Sequence, residues 1–310
     1  MIFSVGAFDG FHIGHIELLK MAQKRAAERG DKWGVITFQN HPQLYFKNSK
    51  FRYLFSDEER DLVLKYLSVE YVHKIFFNSE IALMTPEQFI NYLASNFDVS
   101  GLVVGENFRF AKDRLGTNKI LQHIAAEHSW SFDIVPSYMI GKDVVCSSLI
   151  REKVSCGEIR EANKLQGFPY VISGYVIKGK GRGKILGFPT ANIAHDNYKL
   201  YPAYGSYIGF TFIDHTVYPV ALNIGFNPTF SDMDKQSCEA HIVGFNGNLY
   251  NKKIFVFIIK KIRNEKKYES KELLITQLSQ DINYTKKYFN KYLKNNIKQV
   301  QNILSKNFDI

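Results

Sequence analysis

A change in hydrophobic rhythm near residue 168 constrains this chain of 310 residues more than any other feature. Before it, short apolar runs alternate with amphipathic segments of helical period, which is typical of a parallel sheet covered by helices. We therefore expect an α/β, doubly wound, Rossmann-like domain over residues 1–168. The predicted strands are Phe3–Val5, Trp33–Phe38, Tyr71–Phe77, Leu102–Val104 and Phe132–Val135, and the predicted helices are Ile16–Arg29, Ser56–Leu67, Thr85–Asn96 and Asn118–His128.

A predicted helical stretch, Ser147–Leu165, closes that half, and Gly167-Phe168-Pro169 interrupts it. Short strands separated by Gly, Asn, Asp and Pro turns follow, a pattern typical of an antiparallel β-barrel. We expect this barrel and a C-terminal helix from Ser270 onward to form a second domain, residues 169–310. The predicted barrel strands are Tyr170–Lys178, Tyr207–Ile213, Val217–Ile224, Glu239–Val243 and Ile254–Lys261.

The positive charge is concentrated in the second half. The chain has 40 Lys and Arg against 30 Asp and Glu, a net charge of +10. Residues 252–298 alone hold thirteen basic and four acidic residues. A run of basic residues more often forms the solvent-exposed face of a helix than a nucleic-acid site. No zinc-finger or RNA-binding aromatic signature accompanies this one. We expect no nucleic-acid partner, although the charge would help to attract polyphosphate substrates.

Cysteine usage and hydropathy indicate the compartment. The three cysteines, Cys146, Cys156 and Cys238, form no CxxC pair, which favours reduced thiols in a cytoplasmic protein. The apolar run Ile254–Ile259 is much shorter than the roughly 18 residues of a membrane span, so we expect no membrane association. A monomer or a weak homo-oligomer is expected.

The first candidate site is the segment from Gly6 to His15, between the first strand and the first helix. Ligands of open parallel sheets bind beyond the carboxyl ends of the strands, where glycines let the backbone approach and a helix N-terminus attracts phosphate. His12 and His15 flank Gly14 and are expected to direct imidazole donors at one phosphate group. Two ordinary turn histidines are the alternative, which the motif and its location disfavour.

These residues resemble the nucleotidyltransferase superfamily, and the fuller match is to the bacterial bifunctional riboflavin kinase/FAD synthetase family. Further blocks that carry the resemblance are Thr37–Pro42, Val104–Phe110 and Cys146–Arg151, with Ala111 in place of a usual Gly and Cys146 in place of a usual Ser. The resemblance implies an FMN adenylyltransferase in which His12 and His15 are catalytic. It implies ATP or phosphate contacts by Gly6, Phe8, Asp9, Gly14, Ser147, Ser148 and Arg151, and flavin contacts by Asn40 and Asn107. Plain helix capping is an alternative role for the two serines.

The second candidate site follows the barrel's first strand. Lys178–Lys184 is a Gly- and Lys-rich loop without the Walker spacing, and taken alone it is more often a surface hairpin. Thr190 and Asn192 lie two apart in an extended segment, so their side chains share a face and offer hard oxygen ligands suited to Mg²⁺.

The same family resemblance makes Thr190 and Asn192 the metal pair of a riboflavin kinase. It implies that Glu239 is the general base; without the resemblance, a solvent-facing strand residue would be the preferred interpretation. It further implies that Asn223–Phe230 is a family block and that Arg263 binds flavin, while Gly244 and Asn264 stand where relatives have Asp. The implied ATP contacts are Lys178, Gly179, Gly181, Lys184 and Gly187.

The expected function is therefore bifunctional. One domain would phosphorylate riboflavin with ATP to FMN, and the other would transfer AMP from ATP to FMN, giving FAD and pyrophosphate, with Mg²⁺ as cofactor. Two alternatives stay open: the substitutions at Cys146, Gly244 and Asn264 have left one activity only, or the basic stretch makes the chain a nucleic-acid binder.

Overall fold

The computed structural model describes residues 1–46, 50–179, 181–226 and 236–306. It divides into two compact units, Met1–Ser147 and Ser148–Ile310. The change of rhythm near residue 168 falls inside the second unit, because the helix before it packs against the barrel. No helix in the described ranges is long and apolar enough to cross a membrane.

The first unit is built on parallel strands alternating with helices. Its elements are β1 Ile2–Val5, α1 Ile13–Arg29, β2 Trp33–Phe38, α2 Pro42–Tyr45, α3 Asp57–Tyr66, β3 Tyr71–Ile75, α4 Ser79–Leu83, α5 Pro86–Asn96, β4 Gly101–Gly105, α6 Asn118–Glu127, β5 Ser131–Val135, β6 Met139–Ile140 and β7 Asp143–Val144. The five-stranded sheet has the order β3-β2-β1-β4-β5, and its pairs are all parallel. The predicted doubly wound sheet is confirmed; the β6–β7 hairpin and the short helices α2 and α4 were not predicted.

The strand order places a ligand crevice at β1. The chain proceeds outward from β1 through β2 to β3 and then returns to β4 on the other side, so β1 and β4 bound the topological switch point where open sheets bind ligands. Phe3, Leu102 and Val104 are buried in the core beneath this edge. Local sequence fixes the helix starts: Ser56 with Glu59, and Thr85 with Gln88, form reciprocal capping boxes.

The second unit is a barrel with helices around it. Its elements are α7 Ser147–Ser155, α8 Ile159–Gln166, β8 Tyr170–Ile177, α9 Arg182–Ile185, β9 Ala191–Ile193, β10 Gly205–Ile213, β11 Thr216–Phe226, β12 Gln236–Ile242, β13 Lys253–Asn264 and α10 Lys271–Ser305. The strands form a closed barrel in the order β10-β11-β12-β9-β8-β13, and all pairs are antiparallel. The predicted barrel is confirmed, and the three-residue strand β9 completes it.

Packing against the barrel explains why α8 belongs to the second unit. The predicted helix Ser147–Leu165 is two helices, interrupted at Gly157, which has a φ of 78°. The Asn163 side chain donates to the carbonyl oxygen of Ile258 (2.9 Å) and accepts from the N–H of Tyr170 (2.8 Å). These bonds fasten α8 to two barrel strands that also contribute buried side chains to the core.

Candidate active sites

The turn between β1 and α1 holds the two predicted catalytic histidines against each other. Their ring centroids are 3.7 Å apart and their planes differ by 18°. His12 is the N-cap of α1, and its Nδ1 accepts a hydrogen bond from the backbone N–H of His15 (3.3 Å). A Cβ on Gly14 would lie 3.0 Å from that Nδ1. Glycine between the histidines is therefore required by the close approach of the His12 ring.

Aromatic residues in unusual backbone conformations form the floor of this turn. Phe8 and Phe11 have φ values of 49° and 33°, a region that costs a non-glycine residue free energy. Their rings stack 5.6 Å apart and contact the His15 ring at 5.1 and 6.1 Å. Because both phenylalanines are buried, the packing free energy offsets the backbone strain and fixes the position of His15.

Burial keeps both imidazoles neutral. It lowers the pKa of His12 to about 4. It lowers the pKa of His15 well below the usual value, and the nearby His12 charge adds to this effect. The Nδ1 atom of His15 is buried and has no hydrogen-bond partner in the described chain. A buried polar atom without a partner is costly, so this nitrogen is a candidate for a bond with a ligand or an ordered water.

Asp9 and Ser147, both predicted to contact ATP, hold the turn together. The buried Asp9 carboxylate accepts from the backbone N–H groups of Leu54 (2.8 Å) and Phe55 (3.0 Å). The Ser147 hydroxyl donates to the carbonyl oxygen of Asp9 (2.6 Å). Ser148 and Arg151 follow on α7, in the second unit. Their contacts with ATP stay predictions.

The two asparagines predicted to bind flavin are engaged with neighbouring loops. Asn40, after β2, donates to the carbonyl oxygen of Phe77 (2.9 Å) and accepts from its N–H (2.7 Å). Asn107, after β4, donates to the Ser137 hydroxyl (2.9 Å). Asn40 thus orients Phe77 with both of its polar atoms, whereas the side chain of Asn107 is exposed beyond the carboxyl end of β4.

Sequence reasoning missed Arg60, a buried arginine on α3 that is only 3% exposed. Its guanidinium donates to the carbonyl oxygens of Ala7 (3.4 Å), Phe38 and Gln39 (3.3 Å), and it forms an ion pair with Asp57. It therefore joins the loops that follow β1 and β2, which carry the histidine turn and Asn40. In the sequence it is one charged residue of an amphipathic helix, and nothing in the spacing reveals its partners.

In the barrel, strand pairing brings the predicted metal ligand and base together. Asn192 on β9 pairs directly with Glu239 on β12. The Thr190 hydroxyl lies 3.5 Å from Glu239 Oε2. His241, which was not predicted, donates from Nδ1 to the carbonyl oxygen of Pro189 (2.8 Å), and burial lowers its pKa. That bond ties β12 to the residue before Thr190.

The basic loop packs onto this cluster. A Cβ on Gly179 would lie 2.2 Å from Asn192 Nδ2, and one on Gly183 would lie 3.1 Å from Thr190 Oγ1 and 2.5 Å from the carbonyl oxygen of Phe188. The backbone of the loop therefore contacts both predicted metal ligands. Within the predicted basic loop, Arg182–Ile185 forms the short helix α9, which was not predicted. Lys180 lies outside the described residues.

The donor set suits a hard cation that brings most of its own ligands. Thr190, Asn192 and Glu239 offer a hydroxyl, an amide and a carboxylate oxygen, the ligand types of Mg²⁺, which usually retains waters and phosphate oxygens. Within the described ranges, no group of three or more His, Cys, Asp or Glu residues is arranged to hold a metal. A magnesium–nucleotide complex fits this cluster.

Arg263, predicted to bind flavin, is fixed by an acid on α10. Its guanidinium donates to the Asp281 carboxylate at 3.0 and 2.8 Å, and Asp281 is buried. Gly244 has a φ of 84°, in the left-handed region that favours glycine. Asn264 ends β13 opposite Gly205. In the family block Asn223–Phe230, residues 227–230 lie outside the described residues.

Comparison with known proteins decides the family. A family model described as FAD synthetase matches residues 1–149, and one described as riboflavin kinase matches residues 166–289. The bifunctional riboflavin kinase/FMN adenylyltransferase of Listeria monocytogenes is 31% identical over 94% of this chain and 93% of its own length. This chain belongs to the bifunctional riboflavin kinase/FMN adenylyltransferase family.

Further relatives agree with this membership. The bifunctional riboflavin kinase/FMN adenylyltransferase of Buchnera aphidicola is 33% identical, covering 93% of each chain. A crystal structure titled as a macrolide-efflux protein from Streptococcus pneumoniae is 29% identical, with a TM-score of 0.82 over 92% of this chain and 93% of that one. The family fold therefore extends through both units.

Proposed function

We propose that the two activities of this enzyme, riboflavin kinase and FMN adenylyltransferase, use separate sites in the two units. The observation that carries this proposal is that each unit has its own cluster suited to phosphate chemistry. In the first unit it is the stacked pair His12 and His15 at a helix N-terminus; in the second it is Thr190, Asn192 and Glu239 beneath a glycine- and lysine-rich loop.

In adenylyl transfer, a phosphate oxygen of FMN attacks the α-phosphorus of ATP, and pyrophosphate leaves. His12 Nδ1 accepts the His15 N–H, so the ring proton of the neutral His12 is on Nε2, from which it can donate to the phosphates. Neutral donors stabilise the charge that develops on the leaving oxygens without first losing a proton. The free N–H groups at the start of α1 add to this field, and the glycines Gly6 and Gly14 permit the close approach.

Within the first unit, several predicted contacts act indirectly. Asp9 and Ser147 hold the turn in the shape that the histidines need, and Asn40 orients Phe77 beside the flavin. Asn107 faces the flavin from the other side of the switch point. Phe8 supports His15. Ser148 and Arg151 belong to the second unit, and their contacts with the ATP phosphates are a prediction from the family resemblance alone.

In the kinase step, the primary ribityl hydroxyl attacks the γ-phosphorus of ATP. Glu239 accepts the proton of that hydroxyl and orients its oxygen. Thr190 and Asn192 hold Mg²⁺, which neutralises charge on the ATP oxygens when it is bound. Backbone groups of Gly179, Gly181 and Gly187 and the ammonium groups of Lys178 and Lys184 bind the triphosphate. Arg263, held by Asp281, supports the flavin end of the site.

The reaction order follows from the chemistry, because the adenylyl acceptor is a phosphate that the kinase step creates. Riboflavin, FMN and ATP are therefore the substrates. We also propose that the enzyme is cytoplasmic and is a monomer or a weak homo-oligomer. From the sequence, we propose that the kinase domain begins near residue 168.

The test is to supply the purified chain with ATP and Mg²⁺ and either riboflavin or FMN, and to separate the products by chromatography. We expect riboflavin to give FMN and then FAD, and FMN to give FAD with release of pyrophosphate. FMN accumulating without FAD would mean that the first site is inactive. If FAD formed from supplied FMN but no FMN formed from riboflavin, the kinase site would be inactive. This result is expected if the substitutions at Gly244 and Asn264 had abolished kinase activity.

A further inference from the structure

A surface groove in the second unit is not used by either reaction. It has a volume of about 810 Å³ and lies between α8 and the C-terminal half of α10, over β13. Its lining includes three cationic residues, Arg160, Lys164 and Lys291, and no acidic residue among those described. None of the predicted kinase residues lines it.

The positive charge of the groove is largely uncompensated. Within the described chain, Arg160 and Lys291 form no ion pair or hydrogen bond, whereas Lys164 pairs with Glu161 at 2.9 Å. Between residues 282 and 305, α10 contains five lysines and no Asp or Glu. Cations that lack carboxylate partners attract an anion, and a continuous series of them along one helix attracts a polyanion rather than a single phosphate.

Aromatic rings accompany this charge at helical spacing. Tyr284, Tyr288 and Tyr292 follow one another at intervals of four along α10 and all line the groove. The Tyr284 and Tyr288 rings are 6.0 Å apart, and the Lys260 ammonium lies 5.3 and 5.0 Å from their centroids. Tyr292 packs 6.1 Å from buried Phe210, which anchors the row to the barrel. Tyr284 remains 41% exposed.

Basic groups interleaved with one exposed and two half-buried aromatic rings match the chemistry of single-stranded nucleic acid. Such sites combine phosphate neutralisation with stacking of unpaired bases, and they tolerate many sequences. The row from Tyr284 to Asn295 covers about 16 Å at 1.5 Å per residue, whereas stacked nucleotides of one strand are about 3.4 Å apart. Contrary to the sequence-based expectation of no nucleic-acid partner, we propose that this groove binds single-stranded nucleic acid over several nucleotides, as a function separate from flavin synthesis.

The test measures binding of a fluorescent twelve-nucleotide single strand to the full chain by anisotropy at several salt concentrations between 50 and 200 mM. We expect a linear fall of log affinity with log salt, with a slope of roughly −0.7 for each phosphate neutralised. A duplex of the same sequence should bind more weakly, because its bases are not available to stack. Absence of binding at the lowest salt, or equal binding of the duplex, would overturn the proposal.

Two matched pairs of variants separate the groove from the overall charge. Arg160→Gln with Lys291→Gln should weaken binding at least tenfold and reduce the slope by about 1.4, two phosphates at 0.7 each. Lys24→Gln with Lys119→Gln removes the same charge from the first unit and should change affinity less than twofold. Equal losses of affinity in both double variants would show that binding depends only on the net charge of the protein, and would refute the site.

The aromatic contribution has its own control. Tyr288→Leu should lower affinity at least fivefold with an unchanged salt slope, and Tyr250→Leu, elsewhere on the surface, should leave it unchanged. FAD and ATP are added as competitors. Displacement of the strand by equimolar FAD or ATP would instead assign the groove to a mononucleotide or dinucleotide. Riboflavin kinase activity of each variant verifies that the second unit is folded.

Discussion

The two proposed active sites serve similar phosphate chemistry but are built in different ways. The site of the first unit is a turn in which buried rings, strained phenylalanines and neutral histidines surround one unpartnered nitrogen. The site of the second unit is made of strand residues whose positions are set by pairing, with Asn192 opposite Glu239. A strained turn depends on many packing contacts, whereas a strand pair depends on the register of the barrel. The two sites should therefore respond differently to substitution, to pH and to distant changes.

The largest effect is expected at the base of the kinase site. Glu239→Gln removes the carboxylate that we propose as acceptor of the ribityl proton, and it should slow FMN formation by roughly 10²–10⁴-fold. FAD formation from supplied FMN should continue at the wild-type rate. The two rates are measured on the same protein sample by chromatography. Loss of both would refute the division of labour between the units.

His15→Ala should have the converse effect of comparable or slightly smaller size. Loss of one preorganised donor costs roughly 10²–10³-fold in rate, so FAD formation should nearly stop while FMN formation from riboflavin persists. His12→Ala should behave alike, because the two rings are stacked. Unchanged FAD formation in either variant would show that the histidines are structural.

These two predictions concern residues that the sequence motifs identified. The alternating apolar runs predicted the parallel sheet because its central strands, such as β1 and β4, are almost entirely buried. The turn residues predicted the barrel because they separate its successive strands. Strand β9 was missed, since three residues give too little periodicity. Arg60, Asp281 and His241 were missed because their partners are backbone carbonyls or residues distant in sequence, which local patterns do not encode.

Arg60→Met should lower FAD formation by an intermediate amount and leave FMN formation unchanged. Without the guanidinium, the loops after β1 and β2 lose the group that joins them, so we expect FAD formation to fall about tenfold, partly through a higher KM for FMN. Kinase activity should be unaffected, and the fluorescence of Trp33 and Trp130 verifies that the first unit is folded. Arg60→Lys should restore part of the loss, because one ammonium can replace some of the carbonyl contacts. A kcat-only effect with unchanged KM would contradict a positioning role.

The smallest effect is one of pH on stability. The pKa of His12 is lowered to about 4, below its value of about 6.5 in an unfolded chain. The unfolded state therefore binds more protons between pH 6.5 and 4, and the stability of the first unit falls as pH decreases through this window. The loss per histidine is at most about 1.4 kcal/mol for each pH unit.

Tryptophan fluorescence isolates this effect, because both tryptophans, Trp33 and Trp130, lie in the first unit. Urea unfolding followed by this signal should give a smaller free energy of unfolding at pH 5 than at pH 7. The difference should shrink in His12→Asn, whose side chain does not titrate. An equal pH dependence in both proteins would mean that His12 is not responsible.

The position of strand β9 determines which activity is lost when the barrel is damaged. It is the three-residue seam between β12 and β8 that makes the barrel a closed cylinder, and it also carries Asn192. The strand that closes the barrel therefore also positions a residue of the proposed kinase site. A substitution that separates β9 from its neighbours should abolish the formation of FMN from riboflavin but leave the adenylylation of supplied FMN intact. Its consequence would be a shortage of FMN.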